Sequence, residues 1–406
     1  MRLTFSDGSA THGCETRSHS GASFFLRSQM SSPWPTDADG KVLLKSFTLP
    51  QLTTWVQEGL GEKPFRAQQL WKWLYIRCAS SFDEMTDLSK AVRARLQSCA
   101  RIDVLEQDEV HQARDGTRKI TWRTLRGSII ESVLIPTESR NTLCISSQVG
   151  CAMNCQFCLT AKMGLIGNLS TAEIVDQVVQ TRRQFEEEQH ISNIVFMGMG
   201  EPLHNCDNVI DATHILISRA GLNFSQRKVT VSTSGLIPQI VRFGAESKAR
   251  LAVSLNATTD EVRDWIMPIN RRYPLKALME TLRTYPFQAH ERVTFEYVML
   301  QGVNDSLDDA RRIVKLTSHI PCKINLIPFN PHPGTEFIPT PIDQVEAFRD
   351  YLASKHFNVS IRQTRGDDSM AACGQLGTPG PKVPKRMAPP TPFVDAIRHT
   401  TTESAH

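Results

Sequence analysis

Three cysteines fall within eight positions, in Cys151-Ala-Met-Asn-Cys155-Gln-Phe-Cys158. Thiolates this close together can share one soft metal centre. Zinc ordinarily takes four ligands, often as two separated Cys-x2-Cys pairs, and the chain has no second such pair. Cys144 could complete a four-cysteine set, although the pattern places it on a strand rather than in the loop. An odd-membered group without a secretory signal is a poor disulfide framework. The reading is an iron–sulfur site, against zinc or inert thiols.

Two further cysteines carry chemical promise. Cys144 lies seven residues ahead of the cluster, in Thr142-Leu-Cys-Ile-Ser-Ser-Gln-Val-Gly-Cys151. Cys373 lies in Arg362-Gln-Thr-Arg-Gly-Asp-Asp-Ser-Met-Ala-Ala-Cys-Gly-Gln-Leu376, where Ala371, Ala372 and Gly374 leave its sulfur unshielded. Arg362 and Arg365 would favour a thiolate there and Asp367 and Asp368 would oppose it, which leaves the balance open. Cys14, Cys78, Cys99, Cys206 and Cys322 read as inert small apolar residues.

The elements that must position these groups follow from periodicity. The chain has 406 residues, 40% apolar, 22% charged and 7% aromatic, the balance of a globular protein with a sizeable core. That length suggests two or three domains. No apolar run approaches the ~18–20 residues of a membrane span, so no membrane partner is expected. Residues 1–40 lack periodicity and read as a disordered or targeting extension, with Met30 an alternative start. Residues 41–103 read as a helical domain in which Ala67, Leu70, Trp71, Leu74 and Cys78 form one buried stripe. Arg66, Lys72, Trp73 and Arg77 fall on the opposite face. Segment 41–130 holds 15 Lys+Arg against 10 Asp+Glu, so the net charge of +4 is concentrated here. Residues 104–140 read as a short β extension around an Asp115-Gly116 turn.

From 141 to 375 strands and helices alternate, with candidate strands at 142–147, 192–198, 227–234, 249–255, 292–300, 322–329 and 358–364. Ser170-Thr-Ala-Glu173 is a capping box that opens the first helix. Repeated βα units imply parallel strands with right-handed crossovers. An open barrel of about six units fits better than a doubly wound sheet, because no Gly-x-Gly-x-x-Gly follows the first strand. The fold class is thus α/β, a partial (β/α)6 barrel with a small N-terminal helical domain. Residues 376–406, with Pro379, Pro381, Pro384, Pro389, Pro390 and Pro392, read as a disordered tail.

Cys-x3-Cys-x2-Cys with Phe157 before the last cysteine resembles the motif of the radical S-adenosylmethionine superfamily. The resemblance implies a [4Fe-4S] cube held by Cys151, Cys155 and Cys158, with a fourth iron open to the amino and carboxylate groups of S-adenosylmethionine. One electron then breaks a carbon–sulfur bond and yields a 5′-deoxyadenosyl radical. Met197-Gly-Met-Gly-Glu-Pro202 is similar to the superfamily's Gly-Gly-Glu segment, which assigns Gly200 and Glu201 to the methionine amino group. Ser232, Ser254-Leu255-Asn256 and Asn330 sit at other strand ends. Each alone is a common turn or cap residue, but their shared barrel face makes them cofactor-binding candidates.

The same segments, with Ser-Thr-Ser-Gly, Ser-Leu-Asn, Ile327-Pro-Phe-Asn-Pro331 and Arg-Gly-Asp-Asp-x3-Ala-Cys-Gly-Gln-Leu, resemble the RlmN family over residues 43–376. That resemblance implies methylation of adenosine C2 in 23S rRNA and tRNA, with two S-adenosylmethionine molecules per turnover. Cys373 would carry the methyl as S-methylcysteine, and Cys144 would resolve the RNA adduct through a transient disulfide. Glu131, in Ile130-Glu-Ser-Val-Leu-Ile-Pro136, matches the family's proton acceptor, with Cys144 competing for that role. An electron donor such as a flavodoxin or ferredoxin system, a monomer, and a cytoplasmic setting (organellar if the extension is a transit peptide) complete the expectation. The helical domain's basic face would contact phosphates, and Trp73 would stack on a base or pack on the barrel. The rivals are the sister activity at adenosine C8, a non-catalytic iron–sulfur RNA-binding redox sensor, and a zinc-stabilised binding module.

Overall fold

The computed structural model describes residues 32–377. The chain first forms β1 (Val42–Leu43), α1 (Leu49–Glu58), α2 (Phe65–Tyr75), α3 (Lys90–Cys99) and β2 (Ala100–Arg101). The apolar stripe of α2 is fully inside: Ala67, Leu70, Trp71, Leu74 and the following Cys78 are all buried. Trp71 lies so close to Gly221 that a Cβ there would meet its Nε1 at 2.6 Å, which is how α2 seats against the larger body.

Three antiparallel strands follow, β3 (Leu105–Gln112), β4 (Arg118–Thr124) and β5 (Ile129–Thr137). β5 pairs antiparallel with β6 (Arg140–Cys144), so the extension is continuous with the main sheet rather than a separate unit. A small β7 (Gln148–Gly150), α4 (Leu159–Lys162) and β8 (Leu165–Asn168) unit precedes α5 (Thr171–Phe185). Ser170 caps α5 as its sequence suggests, its Oγ accepting from Glu173 N while Glu173 Oε2 accepts from Ser170 N.

The remaining units run β9 (Asn193–Phe196), α6 (Cys206–Ile217), β10 (Val229–Thr233), α7 (Ile237–Glu246) and β11 (Arg250–Ser254). They continue through α8 (Asp260–Ile266), α9 (Leu275–Arg283), β12 (Val293–Met299), α10 (Leu307–Leu316), β13 (Cys322–Pro328), α11 (Ile342–Ser354) and β14 (Val359–Ile361). Strands β6 and β9–β14 are all parallel, in the order in which the chain makes them. One cavity is lined by residues of β6, β9, β10, β12, β13 and β14 together, so the sheet curls into a partial barrel with a lumen. All its carboxyl ends face the same way, as parallel pairing requires.

Three expectations need correction. Trp73 is not an exposed base-stacking residue: it is 8% exposed, its Nε1 donates to Asp87 Oδ1 at 2.6 Å, and Arg77 lies over its ring. Residues 34–40 do not belong to an unstructured extension. Trp34 packs edge-on against Phe47, and Asp37 pairs with Arg101 at 2.7 Å. The last strand ends at Ile361, and the described residues 362–377 form a loop with one 3-10 turn at Asp367–Ser369. Residues 1–31, with Cys14, and the proline-rich tail beyond Gly377 lie outside the described residues. Among the described residues no helix is long and apolar enough to cross a membrane.

Candidate active site

Cys151, Cys155 and Cys158 all open onto one cavity at the carboxyl ends of the parallel strands. Their loop is fixed by its own backbone: Cys151 N donates to Gly164 O at 2.9 Å, Gln156 N to Ile266 O at 3.0 Å and Cys158 N to Cys155 O at 3.2 Å. Burial pushes the three thiols up, Cys151 to about 12 and Cys155 further still. Crowding of like-charged sulfurs adds to the effect at Cys151 and Cys155. Left as thiols they would stay protonated, whereas a bound metal centre exchanges with those protons. Among the described residues no three Cys, His, Asp or Glu side chains close tightly enough for a single ion. Three cysteines spread along one cavity wall suit a cube, in which each sulfur takes a different iron.

The same cavity takes the ends of β9, β10 and β11. Gly200 has φ +102°, and a Cβ there would lie 2.5 Å from Gln148 Cβ, so only glycine lets this loop descend against β7. Glu201 is buried, and burial pushes its carboxyl up. Ser234 N donates to its Oε2 at 2.7 Å and Leu203 N to its Oε1 at 3.0 Å, which fixes the carboxylate at the cavity wall. Ser232, Ser254, Asn256 and Asn330 line the cavity as well.

Cys373 enters from the loop after β14. Gly374 O accepts from Leu159 N at 2.7 Å, Leu376 O from Thr160 Oγ1 at 2.7 Å, and Gln375 Nε2 donates to Pro331 O at 2.7 Å. Asn330 Nδ2 donates to Cys373 O at 3.3 Å. Cys373 therefore lines the same cavity as the three cluster cysteines, on a loop tied to the one that carries Cys158. Cys144, at the end of β6, is pushed up to about 12, first by burial and then by the nearby sulfur of Cys373. Arg362, whose Nη1 donates to Met197 Sδ at 3.7 Å, lines the cavity together with Glu296 and Cys373. Its guanidinium is held above its ordinary value chiefly by Cys373, then by Glu296 and Cys144.

Comparison with known proteins shows the family. Residues 42–102 match the ribosomal RNA large subunit methyltransferase N-terminal domain, and residues 145–316 match the radical SAM superfamily. The dual-specificity RNA methyltransferase RlmN of Geotalea uraniireducens is 53% identical over 336 residues, covering 83% of this chain and 96% of its own. That of Pelobacter propionicus is 55% identical over 337 residues, with the same coverage. The crystal structure of a radical SAM methyltransferase from Sphaerobacter thermophilus superposes with a TM-score of 0.78 at 41% identity, covering 82% of this chain and 98% of that one. The chain belongs to the RlmN family. It is accordingly a radical SAM RNA methyltransferase, and its superfamily's chemistry implies a [4Fe-4S] cluster and S-adenosylmethionine.

Against that RlmN frame, three sequence-derived site residues lie off the cavity: Cys144, which is buried behind its wall, Leu255 and Glu131. Leu255 is fully buried; its amide donates to Glu296 O at 2.9 Å and its carbonyl accepts from Arg263 Nε at 3.0 Å, so it shapes the wall without lining it. Glu131, on β5, lines neither this cavity nor the lumen. Its Oε2 accepts from Gly377 N at 2.9 Å, with Lys119 Nζ 4.0 Å from Oε1.

Other residues escape sequence reasoning. Arg263 is fully buried, and burial lowers its guanidinium to about 10. It donates to the carbonyls of Ser234, Ser254 and Leu255 and to Asn270, tying the ends of β10 and β11 together beside Cys155. His332 Nε2 lies 3.3 Å from Phe157 O and steadies the cysteine loop. Gln148 Oε1 accepts from Glu201 N at 2.8 Å. No short motif marks Arg263 or His332; Gln148 sits inside the run joining Cys144 to Cys151.

Proposed function

We propose that this protein methylates C2 of adenosine in 23S rRNA and in tRNA, the two RNA classes that the dual-specificity name of its relatives implies. Adenine C2 lies between two ring nitrogens and is too electron-poor to attack a sulfonium methyl, so a polar transfer fails. When bound, the cluster and S-adenosylmethionine supply a carbon-centred radical able to take hydrogen from an unactivated methyl group.

Cys373 does the rest as a covalent carrier. Its thiolate takes a methyl from one S-adenosylmethionine, breaking that carbon–sulfur bond and releasing S-adenosylhomocysteine. Once the S-methyl group has lost one hydrogen atom, which the radical derived from a second S-adenosylmethionine by one-electron cleavage would take, the Cys373-bound methylene adds to C2. The adduct gives the C2 proton to a base and one electron to an acceptor, a role that the cluster in its oxidised form would fill. Cys144 then attacks the Cys373 sulfur; the methylene keeps the electron pair of the broken bond and takes a proton to become the product methyl. The Cys144–Cys373 disulfide is reopened by a two-electron reductant. A flavodoxin- or ferredoxin-type donor in the cytoplasm suits the separate one-electron step. Glu131 and Cys144 are both candidates for the C2 proton.

One observation carries this reading: Cys373 lines the same cavity as the three cluster cysteines, its loop bonded to theirs, with Cys144 and Arg362 close enough to act on its sulfur. The test uses reconstituted enzyme with S-adenosylmethionine, reductant and RNA. Cys144→Ala is expected to accumulate protein covalently joined to RNA, and Cys373→Ala neither to accept methyl nor to crosslink. Methylated RNA from Cys373→Ala would falsify the assignment. Mass spectrometry of digested RNA should show 2-methyladenosine; the 8-methyl isomer would move the reading to the sister activity.

A further inference from the structure

Behind Cys373 lies a second, larger cavity of about 740 Å³, the lumen of the barrel. Cys373, Arg362, Asn330, Ile327, Glu296 and Met197 line both it and the cysteine cavity, so Cys373 stands in a partition between two compartments. The cluster cysteines and Glu201 belong to one side alone. A carrier thiol set in a partition needs its donor on one side and its acceptor on the other.

The lumen is built unlike its neighbour. Many of its inward positions are polar, including Thr142, Asn193, Thr230, Thr294, Asn325 and Ser360, beside apolar Val195 and Ile327. At its mouth, toward the amino ends of the strands, it gathers Arg140, Arg227, Lys228 and Lys323, all four exposed. None of these four makes an ion pair with a carboxylate among the described residues, although ion pairs are common elsewhere on the chain. The carboxylates that face this region are few. Glu296 lines the lumen, bonded to Asn325 Nδ2 at 3.1 Å, and Glu291 is engaged by Arg250 at 3.2 Å. Burial and repulsion from Arg140 and Arg250 lower the Lys323 ammonium, opposed by Glu296. Cations held together without counter-charges are relieved by an anion. Along β13, Lys323 and Ile327 are four residues apart, roughly 13 Å at strand rise, so the cations stand well below the thiol.

We propose that the lumen is the acceptor compartment, taking a nucleotide of the RNA strand with its base against Cys373 and a phosphate on Arg140, Arg227, Lys228 and Lys323. The inference rests on the methyl-carrier reading above and adds where the acceptor sits and what holds it. An adenine that reaches a thiol inside a barrel must leave its stack. A phosphate clamp offsets part of that cost by fixing the backbone at a set depth. It also favours a nucleotide over a nucleoside.

The test uses reconstituted holoenzyme carrying Arg227→Met and Lys323→Met together, with Lys315→Met, an exposed cation on α10 outside the lumen, as the charge control. The double variant is expected to raise KM for RNA at least tenfold with kcat within about twofold. The salt slope of RNA binding should shrink by about one to two, while Lys315→Met stays near wild type. Adenosine 5′-monophosphate is expected to compete with RNA at least tenfold better than adenosine on the wild type, and that advantage should vanish in the double variant. An unchanged KM, or equal competition by nucleotide and nucleoside, overturns the lumen assignment. Methyl loading of Cys373, read from the mass of the protein without RNA, keeps the two readings apart. Loss of loading in the wild type would sink the carrier reading, whereas normal loading with an unmoved KM would sink only this one.

Discussion

The amide of Leu159 donates to the carbonyl of Gly374 at 2.7 Å. Leu159 follows the last cluster cysteine and Gly374 follows Cys373, so residues adjoining two distant reactive sulfurs are bonded to each other. A second bond one residue further on, Thr160 Oγ1 to Leu376 O, makes the attachment two-pointed. The thiol carrier is thereby indexed to the loop of the cluster rather than left on a free strap.

Thr160→Val keeps the shape of this buried side chain and removes its donor, leaving Leu376 O unsatisfied. Such a loss costs about 1–3 kcal/mol locally. The expected result is a several-fold slower methylation of Cys373, with iron and sulfide content unchanged. Loading of Cys373 followed by protein mass, beside the visible absorbance of the cluster, gives both readouts. Equal loading rates would show that the strap needs no such index.

Glu131 invites a sharper separation of roles. Its carboxylate holds Gly377 N, three residues beyond Gly374, from outside both cavities. Glu131→Gln retains an oxygen that can accept from Gly377 N but cannot take a proton from carbon. Glu131→Ala loses both functions. If the side chain acts by positioning, Gln should keep at least a third of the wild-type rate while Ala falls ten- to a hundredfold. If it is the base, Gln and Ala should fall alike and both should accumulate RNA-linked protein before C2 deprotonation. Single-turnover rates with gel analysis of the adduct decide between them.

The barrel and its cysteine loop were legible in the sequence because their signals are local. The Ser170 capping box and the apolar strand cores each depend on neighbours a few residues away. What escaped depends on long-range partners. Trp73 looked exposed because helical periodicity sees one partner surface, while α2 packs on two sides, with Asp87 waiting for its indole N–H. Arg263 reads as a charged residue on a short polar helix; only the meeting of the β10 and β11 carbonyls reveals its four acceptors. Glu131 and Leu255 carry motif matches, yet their positions are set by Gly377 and by Glu296 O.

Docking of the helical N-terminal region provides a stability prediction. Lys45 is completely buried, and its ammonium bridges Asp176 of α5 and Asp103, the latter at 2.6 Å. Breaking a buried pair from one side costs about 3–5 kcal/mol, because the carboxylate left behind stays desolvated. Lys45→Met should lose that much in urea unfolding, and Lys45→Met with Asp176→Asn less than the sum of the single changes. Burial raises the Asp103 carboxyl, but Lys45 and Arg183 outweigh it and hold it below the ordinary value. Its contribution is therefore present above the unfolded value of about 3.9 and lost as pH falls through the lower folded value. Without Lys45 that loss begins at higher pH, so the acid unfolding midpoint should move upward. Circular dichroism against pH reports it, and an unmoved midpoint would argue that the pair is not linked to folding.

Gly200 offers a test confined to the cofactor wall. A methyl group at this position would sit 2.5 Å from Gln148 Cβ, and the φ of +102° is strained for any L residue. Gln148 cannot simply withdraw, since its Oε1 accepts from Glu201 N and its Nε2 donates to Asn168 Oδ1 at 2.7 Å. Gly200→Ala should thus displace the Glu201 segment while the cysteine loop, on separate hydrogen bonds, stays in place. The expected outcome is retained cluster absorbance with at least a tenfold weaker affinity for S-adenosylmethionine, measured by equilibrium dialysis of the reconstituted enzyme. Undiminished affinity would place the methionine end of the cofactor somewhere other than beside Glu201.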